Sequence, residues 1–156
     1  WDLISLKGNL KDILRRNSFG WYLLKLIKKY NIGKHLVFTG LLDEKEICTQ
    51  YLQSHVFVSA STIENSPNSL GEAMMLGLPV VASDVGGVKD MLQHEEEGFI
   101  YQHDAPYMLA YYIMEIFKND QLASNISDNA RNHAFKTHDR QHNAERMMEI
   151  YREIMR

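Results

Sequence analysis

The chain has 156 residues, of which 45% are hydrophobic and 24% are charged, the composition of an ordinary globular domain with one core. Its net charge of −3 excludes the broadly basic surface of a nucleic-acid-binding protein. One cysteine, Cys48, excludes an internal disulfide, and without an export leader or an apolar run of roughly 18 residues the sequence predicts a cytoplasmic protein.

The charge is unevenly distributed along the chain. Residues 1–34 carry eight basic and two acidic side chains, whereas residues 35–117 carry only Lys45 and Lys89 against twelve acidic side chains. Solvated charged faces explain most of this pattern. The basic segment from Lys7 to Lys34 could also contact the inner face of an anionic membrane, although a solvated helix face is favoured.

Apolar spacing predicts secondary structure along most of the chain. A helix is expected over residues 20–33 with Gly33 as its stop, and another from an N-cap at Asp43 to about Ser54. Short apolar runs predict strands at residues 35–40, 55–60, 78–83 and 98–102. Further helices are predicted over residues 69–77, 85–92, 106–117, 120–135 and 139–156. This alternation predicts an α/β fold, a parallel sheet with helices on both faces.

A doubly wound nucleotide-binding domain has about six strands, and the sequence offers four. We therefore expect a Rossmann-like domain that lacks its first β-α-β segment. Ligands of such sheets bind at the carboxyl ends of the strands, which here lead into residues 40–43, 61–69 and 83–88. The middle loop is the longest and most polar, and it precedes a helix whose N–H groups would favour a phosphate.

Two carboxylates mark this middle loop. Glu64 lies just beyond a strand, and Glu72 follows eight residues later, so both could accept hydrogen bonds from sugar hydroxyls. The spacing alone is weak, because Glu145 and Glu153 share it. Glu72 also fits a capping box with Ser69, and Glu64 could be an exposed loop residue.

Residues 56–101 carry a series of motifs: Glu64 with Glu72-Ala73-Met74, then Gly77-Leu78-Pro79-Val80-Val81-Ala82, Gly86-Gly87 with Asp90, and Gly98-Phe99-Ile100. With these motifs the segment resembles the donor-binding half of retaining glycosyltransferases of the GT-B fold, the glycosyl transferases group 1 or family 4. Phe38-Thr39-Gly40 matches an earlier strand end. The resemblance covers roughly residues 20–156 and implies one half of a GT-B fold.

The resemblance also implies roles for individual residues. Glu64 would be the catalytic residue that contacts the transferred sugar, and Glu72 would bind the ribose hydroxyls of the donor. The remaining donor-binding residues would be Asn65, Ser66, Pro67, Asn68, Ser69 and Leu70, through their backbone, and the residues near the nucleobase would be Gly40, Leu41 and Leu42.

The implied donor is a UDP- or GDP-linked sugar, with no cofactor and no metal, because no Asp-x-Asp occurs and His133, His138 and His142 lack a fixed ligand pattern. A glycan or lipid-linked acceptor would bind an N-terminal domain outside this C-terminal, nucleotide-sugar-binding domain of residues 1–156. The resemblance implies that the basic residues that neutralise the diphosphate precede Trp1. We therefore expect residues 1–156 alone to have little or no transferase activity. The alternative is a non-catalytic Rossmann-like interaction module.

Overall fold

The computed structural model of the protein describes residues 18–156, in two compact units that divide between Glu46 and Ile47. The elements in chain order are α1 (Ser18–Tyr30), a 3-10 helix (Gly33–His35), α2 (Glu44–Leu52), β1 (Phe57–Ser59), α3 (Asn68–Met75), β2 (Val80–Ser83), α4 (Val88–Met91), β3 (Phe99–Tyr101), α5 (Pro106–Lys118), α6 (Asp120–Thr137) and α7 (Arg140–Ile154). The predicted helices are confirmed, with ends shifted by a few residues.

The three strands form a parallel sheet in the order β1-β2-β3. Phe57 of β1 pairs with Val80, and Val81 of β2 pairs with Phe99. All four residues of the central strand β2 are buried, which is why its sequence is apolar up to Ser83. The predicted α/β class with a parallel sheet is therefore confirmed.

Helices cover both faces of this sheet. On one face, Val80 and Ala82 pack in a largely aliphatic cluster with side chains of α3 and α6. On the other face, Val81 packs with α5, where the rings of Phe99 and Tyr112 stack with 4.5 Å between their centroids. Since successive side chains of a strand point to opposite faces, β2 contributes to both parts of the core.

In the unit that ends at Glu46, the stop of α1 differs from the prediction. The helix ends at Tyr30 because Asn31 adopts a left-handed conformation with φ of +52°, and the Ile32 N–H donates to the Ile27 carbonyl at 3.2 Å. This is the hydrogen bond of a Schellman motif, with asparagine in the position that glycine usually takes. Gly33, predicted as the stop, begins the 3-10 helix instead.

The strand predicted at residues 35–40 is wrong. His35 ends the 3-10 helix, and residues 36–40 belong to no strand. Val37 is 77% exposed, although its sequence context suited a buried strand. An isolated strand gains no ladder of hydrogen bonds, and within residues 18–156 no other segment pairs with this one.

Candidate functional site

The candidate site lies in the unit Ile47–Arg156, where the carboxyl ends of β1 and β2 lead into neighbouring loops. Residues 60–67 join β1 to α3, and residues 84–87 join β2 to α4. In a parallel sheet these two loops leave the same edge. They correspond to two of the three loops predicted to hold a ligand.

Glu64 is half-buried in the first of these loops. The Ser61 hydroxyl donates a hydrogen bond to Glu64 Oε1 at 2.8 Å. The sequence allowed Glu64 to be either an exposed loop residue or a ligand contact. It did not predict this hydrogen bond from Ser61. One carboxylate oxygen is thus held from within the loop itself.

The neighbouring strand and its loop support the backbone around Glu64. The Ser83 hydroxyl, at the end of β2, donates to the Ser61 carbonyl at 2.6 Å, and the Gly87 N–H donates to the Asn65 carbonyl at 2.7 Å. Gly86 has a φ of +53°, and a Cβ there would overlap the Glu64 carbonyl oxygen. Both the left-handed backbone and this close approach require glycine.

The N-terminus of α3 follows directly after this loop. Its N-cap is Pro67, and no side chain makes a capping hydrogen bond there. The capping box considered for Ser69 and Glu72 is therefore wrong: α3 begins at Asn68, so Ser69 is already inside the helix. The first N–H groups of a helix without a side-chain cap are suited to an anion such as a phosphate.

Glu72 lies in α3 with an exposed side chain. Burial, followed by the negative charge of Glu72, raises the pKa of the Tyr51 phenol above its ordinary value. Glu72 therefore lies close enough to Tyr51, near the end of α2, for their charges to interact. Its predicted contact with a ribose stays a prediction.

Lys89, a lysine at this edge of the sheet, is already paired. Lys89 Nζ lies 2.8 Å from Asp84 Oδ2, and the Gln102 amide donates to the same oxygen at 2.9 Å. The hydrogen bond from Lys89, helped by Gln102 and opposed by burial, lowers the pKa of Asp84. An anion bound here would thus need positive charge beyond Lys89, as the acidic composition of residues 35–117 indicated.

The other predicted donor-binding residues differ in accessibility. Asn65, Ser66 and Asn68 are exposed, and the Ser66 hydroxyl lies 3.4 Å from the Met91 sulfur. Pro67 and Leu70 are buried, and the Leu70 N–H donates to the Pro67 carbonyl at 3.0 Å. Their contacts with a donor stay predictions.

The residues predicted near a nucleobase lie in the unit that ends at Glu46. Gly40 has a φ of +73°, Leu41 is fully exposed and Leu42 is half-buried. An exposed leucine is available to stack against a planar ring. Their role toward a base stays a prediction.

Two of the three histidines considered as metal ligands, His133 and His138, have other partners. His133 Nδ1 lies 2.7 Å from Glu97 Oε2, and the ring of His138 packs directly on Gly71. Across residues 18–156, no group of three or more His, Cys, Asp or Glu side chains is placed to hold a metal ion. The expectation of a metal-independent site stays a prediction.

No helix in the described part of the chain is long and apolar enough to cross a membrane. Of the basic segment from Lys7 to Lys34, residues 7–17 lie outside the described residues. Contact with a membrane surface stays a prediction.

Sequence reasoning missed the residues that support Glu64. Ser61, Ser83, Gly86 and Gly87 lay in the predicted loops but were not assigned to the site. The paired glycines were the available signal, because adjacent glycines after a strand often allow another backbone to approach closely. The two serine hydroxyls left no signal of this kind.

Comparison with known proteins identifies one family over most of the chain. A family model described as Glycosyl transferases group 1 matches residues 21–133. A protein of Bacillus subtilis (strain 168) that is named as a glycosyltransferase, YtcC, is 26% identical over 141 residues. That match covers 89% of this chain and 34% of the relative, so the chain spans about a third of the relative's length.

Solved structures share the fold. Sucrose-phosphate synthase from Thermosynechococcus elongatus superimposes with a TM-score of 0.79 at 27% identity, over 87% of this chain and 34% of that one. Anabaena HepE, solved in complex with UDP, gives a TM-score of 0.75 at 24% identity, over 84% of this chain and 37% of that one. These neighbours are GT-B glycosyltransferases, and the predicted Rossmann-like half of a GT-B fold is confirmed.

Proposed function

The chain belongs to the glycosyl transferases group 1 family, and from that premise we propose that it is the donor-binding part of a retaining glycosyltransferase. The enzyme would move a sugar from a UDP- or GDP-linked donor to an acceptor hydroxyl in polysaccharide or glycan biosynthesis. The observation that carries the proposal is the uncapped N-terminus of α3 directly after a loop that bears a hydrogen-bonded carboxylate.

The donor would bind across the carboxyl edge of the sheet. Its diphosphate would meet the first N–H groups of α3, where the helix dipole favours negative charge. Glu72 would accept hydrogen bonds from the ribose hydroxyls, and Glu64 would contact the transferred sugar. Residues 40–42 would lie near the base.

Glu64 would act by orientation and charge. Its carboxylate would accept hydrogen bonds from the sugar hydroxyls and stabilise positive charge that develops on the sugar in the transition state. We do not assign it as a nucleophile. Transfer with retention would then form the bond to the acceptor oxygen on the same face of the anomeric carbon from which the bond to the diphosphate breaks, with the diphosphate as leaving group and acceptor of the hydroxyl proton.

The leaving diphosphate would need positive charge that this loop region lacks. Lys89 is held by Asp84, and residues 35–117 contribute only one other lysine. Basic side chains from elsewhere in the protein would therefore complete the site, together with a domain that binds a glycan or lipid-linked acceptor. A cytoplasmic enzyme, with peripheral contact at the inner face of the membrane, fits such an acceptor.

The test is a nucleotide panel on the whole gene product. HepE, a neighbour in fold, was solved with UDP and with UDP-glucose, so these two compounds are the first probes, followed by GDP and GDP-mannose. A compound present at about 100 times its Kd should stabilise the protein by about 2.7 kcal/mol, a thermal shift of several degrees.

Glu72→Ala should abolish this shift, because it removes the carboxylate proposed to hold the ribose. Glu153→Ala is the matched control: Glu153 is an exposed helical glutamate on α7, and the shift should persist. A panel that produces no shift in the unmodified protein would favour the non-catalytic interaction module instead.

A further inference from the structure

We infer that Ser61 is a positioning residue for the Glu64 carboxylate and that Ser83 fixes Ser61 to the sheet. The inference rests on the proposed function, in which Glu64 contacts the transferred sugar. It adds two residues that touch neither donor nor acceptor and that act only through Glu64.

The first step is the contact within the loop. Ser61 Oγ donates to Glu64 Oε1 at 2.8 Å, and no helix or strand spans these residues. A glutamate in such a loop has several rotamers of similar energy, and fixing one of them costs conformational entropy. A hydrogen bond to an ionised oxygen is stronger than a neutral one and selects one carboxylate orientation before any ligand binds.

The second step is the anchor of Ser61. The Ser83 side chain is 0% exposed, and its hydroxyl donates to the Ser61 carbonyl at 2.6 Å. Ser83 is the last residue of β2, the central strand of the sheet. Ser61 is therefore fixed relative to the sheet by a residue 22 positions away, and the carboxylate is fixed relative to Ser61.

The third step identifies the carboxylate oxygen of Glu64 that remains for a ligand. A carboxylate has two oxygens, and Ser61 occupies Oε1. Within residues 18–156, no hydrogen bond engages Oε2 of Glu64. Oε2 would therefore be the oxygen that meets the sugar, with its direction set by the bond at Oε1. Catalytic contacts lose effect when such a group is displaced by as little as 1 Å.

The inference predicts a selective loss. Because Glu64 is proposed to contact the sugar and not the nucleotide, Ser61→Ala should weaken binding of the nucleotide-sugar while binding of the free nucleotide is retained. The bond between Ser61 and Glu64 is present with and without ligand, so its loss would lower the affinity only by the cost of fixing the carboxylate on binding, a change of about five- to tenfold. If Ser61 had only a structural role, Ser61→Ala would weaken the binding of both ligands together.

The experiment is calorimetric titration of the whole gene product with UDP and UDP-glucose, and with GDP and GDP-mannose. In Ser61→Ala, the affinity for the nucleotide-sugar should fall about five- to tenfold, while the affinity for the free nucleotide stays within about twofold. Ser61→Thr, which keeps the hydroxyl, should restore the nucleotide-sugar to within about threefold of the unmodified protein. Ser83→Ala should show the same selectivity with a smaller loss, because the hydroxyl of Ser61 remains.

Thr62→Val is the matched control. Thr62 is exposed in the same loop, and this change removes a hydroxyl with little change of shape, so neither affinity should change. In a Glu64→Ala background, Ser61→Ala should change the nucleotide-sugar affinity by less than about twofold, because its partner is already absent.

Two results in Ser61→Ala would overturn the inference while the proposed function stands. One is an equal loss of affinity for nucleotide and nucleotide-sugar, and the other is no loss of affinity for either. A persistent effect of Ser61→Ala in the Glu64→Ala background would also overturn it. If the unmodified protein binds none of the four compounds, the proposed function fails and the inference fails with it.

Discussion

Among the helices that begin in the unit Ile47–Arg156, the three that follow a strand begin differently from the two that follow another helix. The N-cap residues of α3, α4 and α5 are Pro67, Gly87 and Ala105, and none makes a side-chain capping bond. By contrast, Asn119 caps α6 by accepting from Leu122 N at 3.0 Å, and Asp139 caps α7 by accepting from His142 N at 2.6 Å.

The difference lies in the first N–H groups of each helix. At α6 and α7 a side chain of the preceding residue accepts from one of them, whereas at α3, α4 and α5 no side chain does. A side-chain cap contributes about 1 kcal/mol, so a helix without one forgoes that stabilisation. Pro106 opens α5 and has no N–H that needs a partner, and α4 is only a short helix. At α3, by contrast, a loop with a positioned carboxylate precedes the uncapped end.

The largest predicted effect comes from placing a charge at the uncapped end. Asn68 is the exposed first residue of α3, and Asn68→Asp adds one negative charge with almost no change of shape. The helix dipole should then raise the free energy of unfolding by about 0.3–1 kcal/mol. The same charge should repel a diphosphate and weaken nucleotide binding by about tenfold or more.

The measurements are urea unfolding and calorimetric titration with UDP or GDP. Asn119→Asp is the control, because it makes the same chemical change at an N-cap that is already satisfied, and nucleotide affinity should be unchanged. An affinity that stays within about twofold in Asn68→Asp would mean that the anion does not bind at α3.

The contrast between helix ends also shows what the sequence could predict. Asp43 was predicted as an N-cap, and the structure has a full capping box there, with Asp43 N donating to Glu46 Oε2 at 2.9 Å and Glu46 N donating to Asp43 Oδ1 at 2.8 Å. The corresponding Ser-x-x-Glu pattern at Ser69 and Glu72 forms no capping box, because α3 begins two residues earlier than that pattern requires. A local pattern cannot tell these cases apart.

Among the strands and the site residues, too, local patterns predicted some features and not others. The apolar runs of β1, β2 and β3 were predictable because each pairs in the parallel sheet, whereas residues 35–40 looked similar and formed no strand. The family motifs located Glu64, but not the bond from Ser61 or the support from Ser83. Contacts between residues far apart in sequence depend on the folded sheet and leave no local signature.

A second prediction compares the two kinds of helix end directly through stability. Asp139→Ala removes the cap of α7 and should lower the free energy of unfolding by about 1 kcal/mol. Ser69→Ala should cost less than about 0.5 kcal/mol, because Ser69 makes no capping bond. Urea unfolding of both variants at pH 7 checks this, and a similar loss in both would restore Ser69 as a cap of α3.

The smallest effect concerns the ion pair between Asp84 and Lys89, which lies at the beginning of α4. The hydrogen bond from Lys89 lowers the pKa of Asp84 in the folded state, so the pair stabilises the protein above the unfolded pKa of about 3.9. That contribution is lost as the pH falls through the lower, folded pKa. With the Lys89 side chain 65% exposed, it amounts to less than about 1 kcal/mol.

Asp84→Asn should therefore lower the free energy of unfolding at pH 7 and flatten its decline below about pH 4, measured by urea unfolding across that range. Lys89→Met removes the same pair from the other side and should flatten the decline to a similar extent. If the decline persists in Lys89→Met but not in Asp84→Asn, the Gln102 amide, which shares Asp84 Oδ2, would be the group that holds this carboxylate ionised. Asp84 would then be held by the loop that follows β3 rather than by a residue of α4.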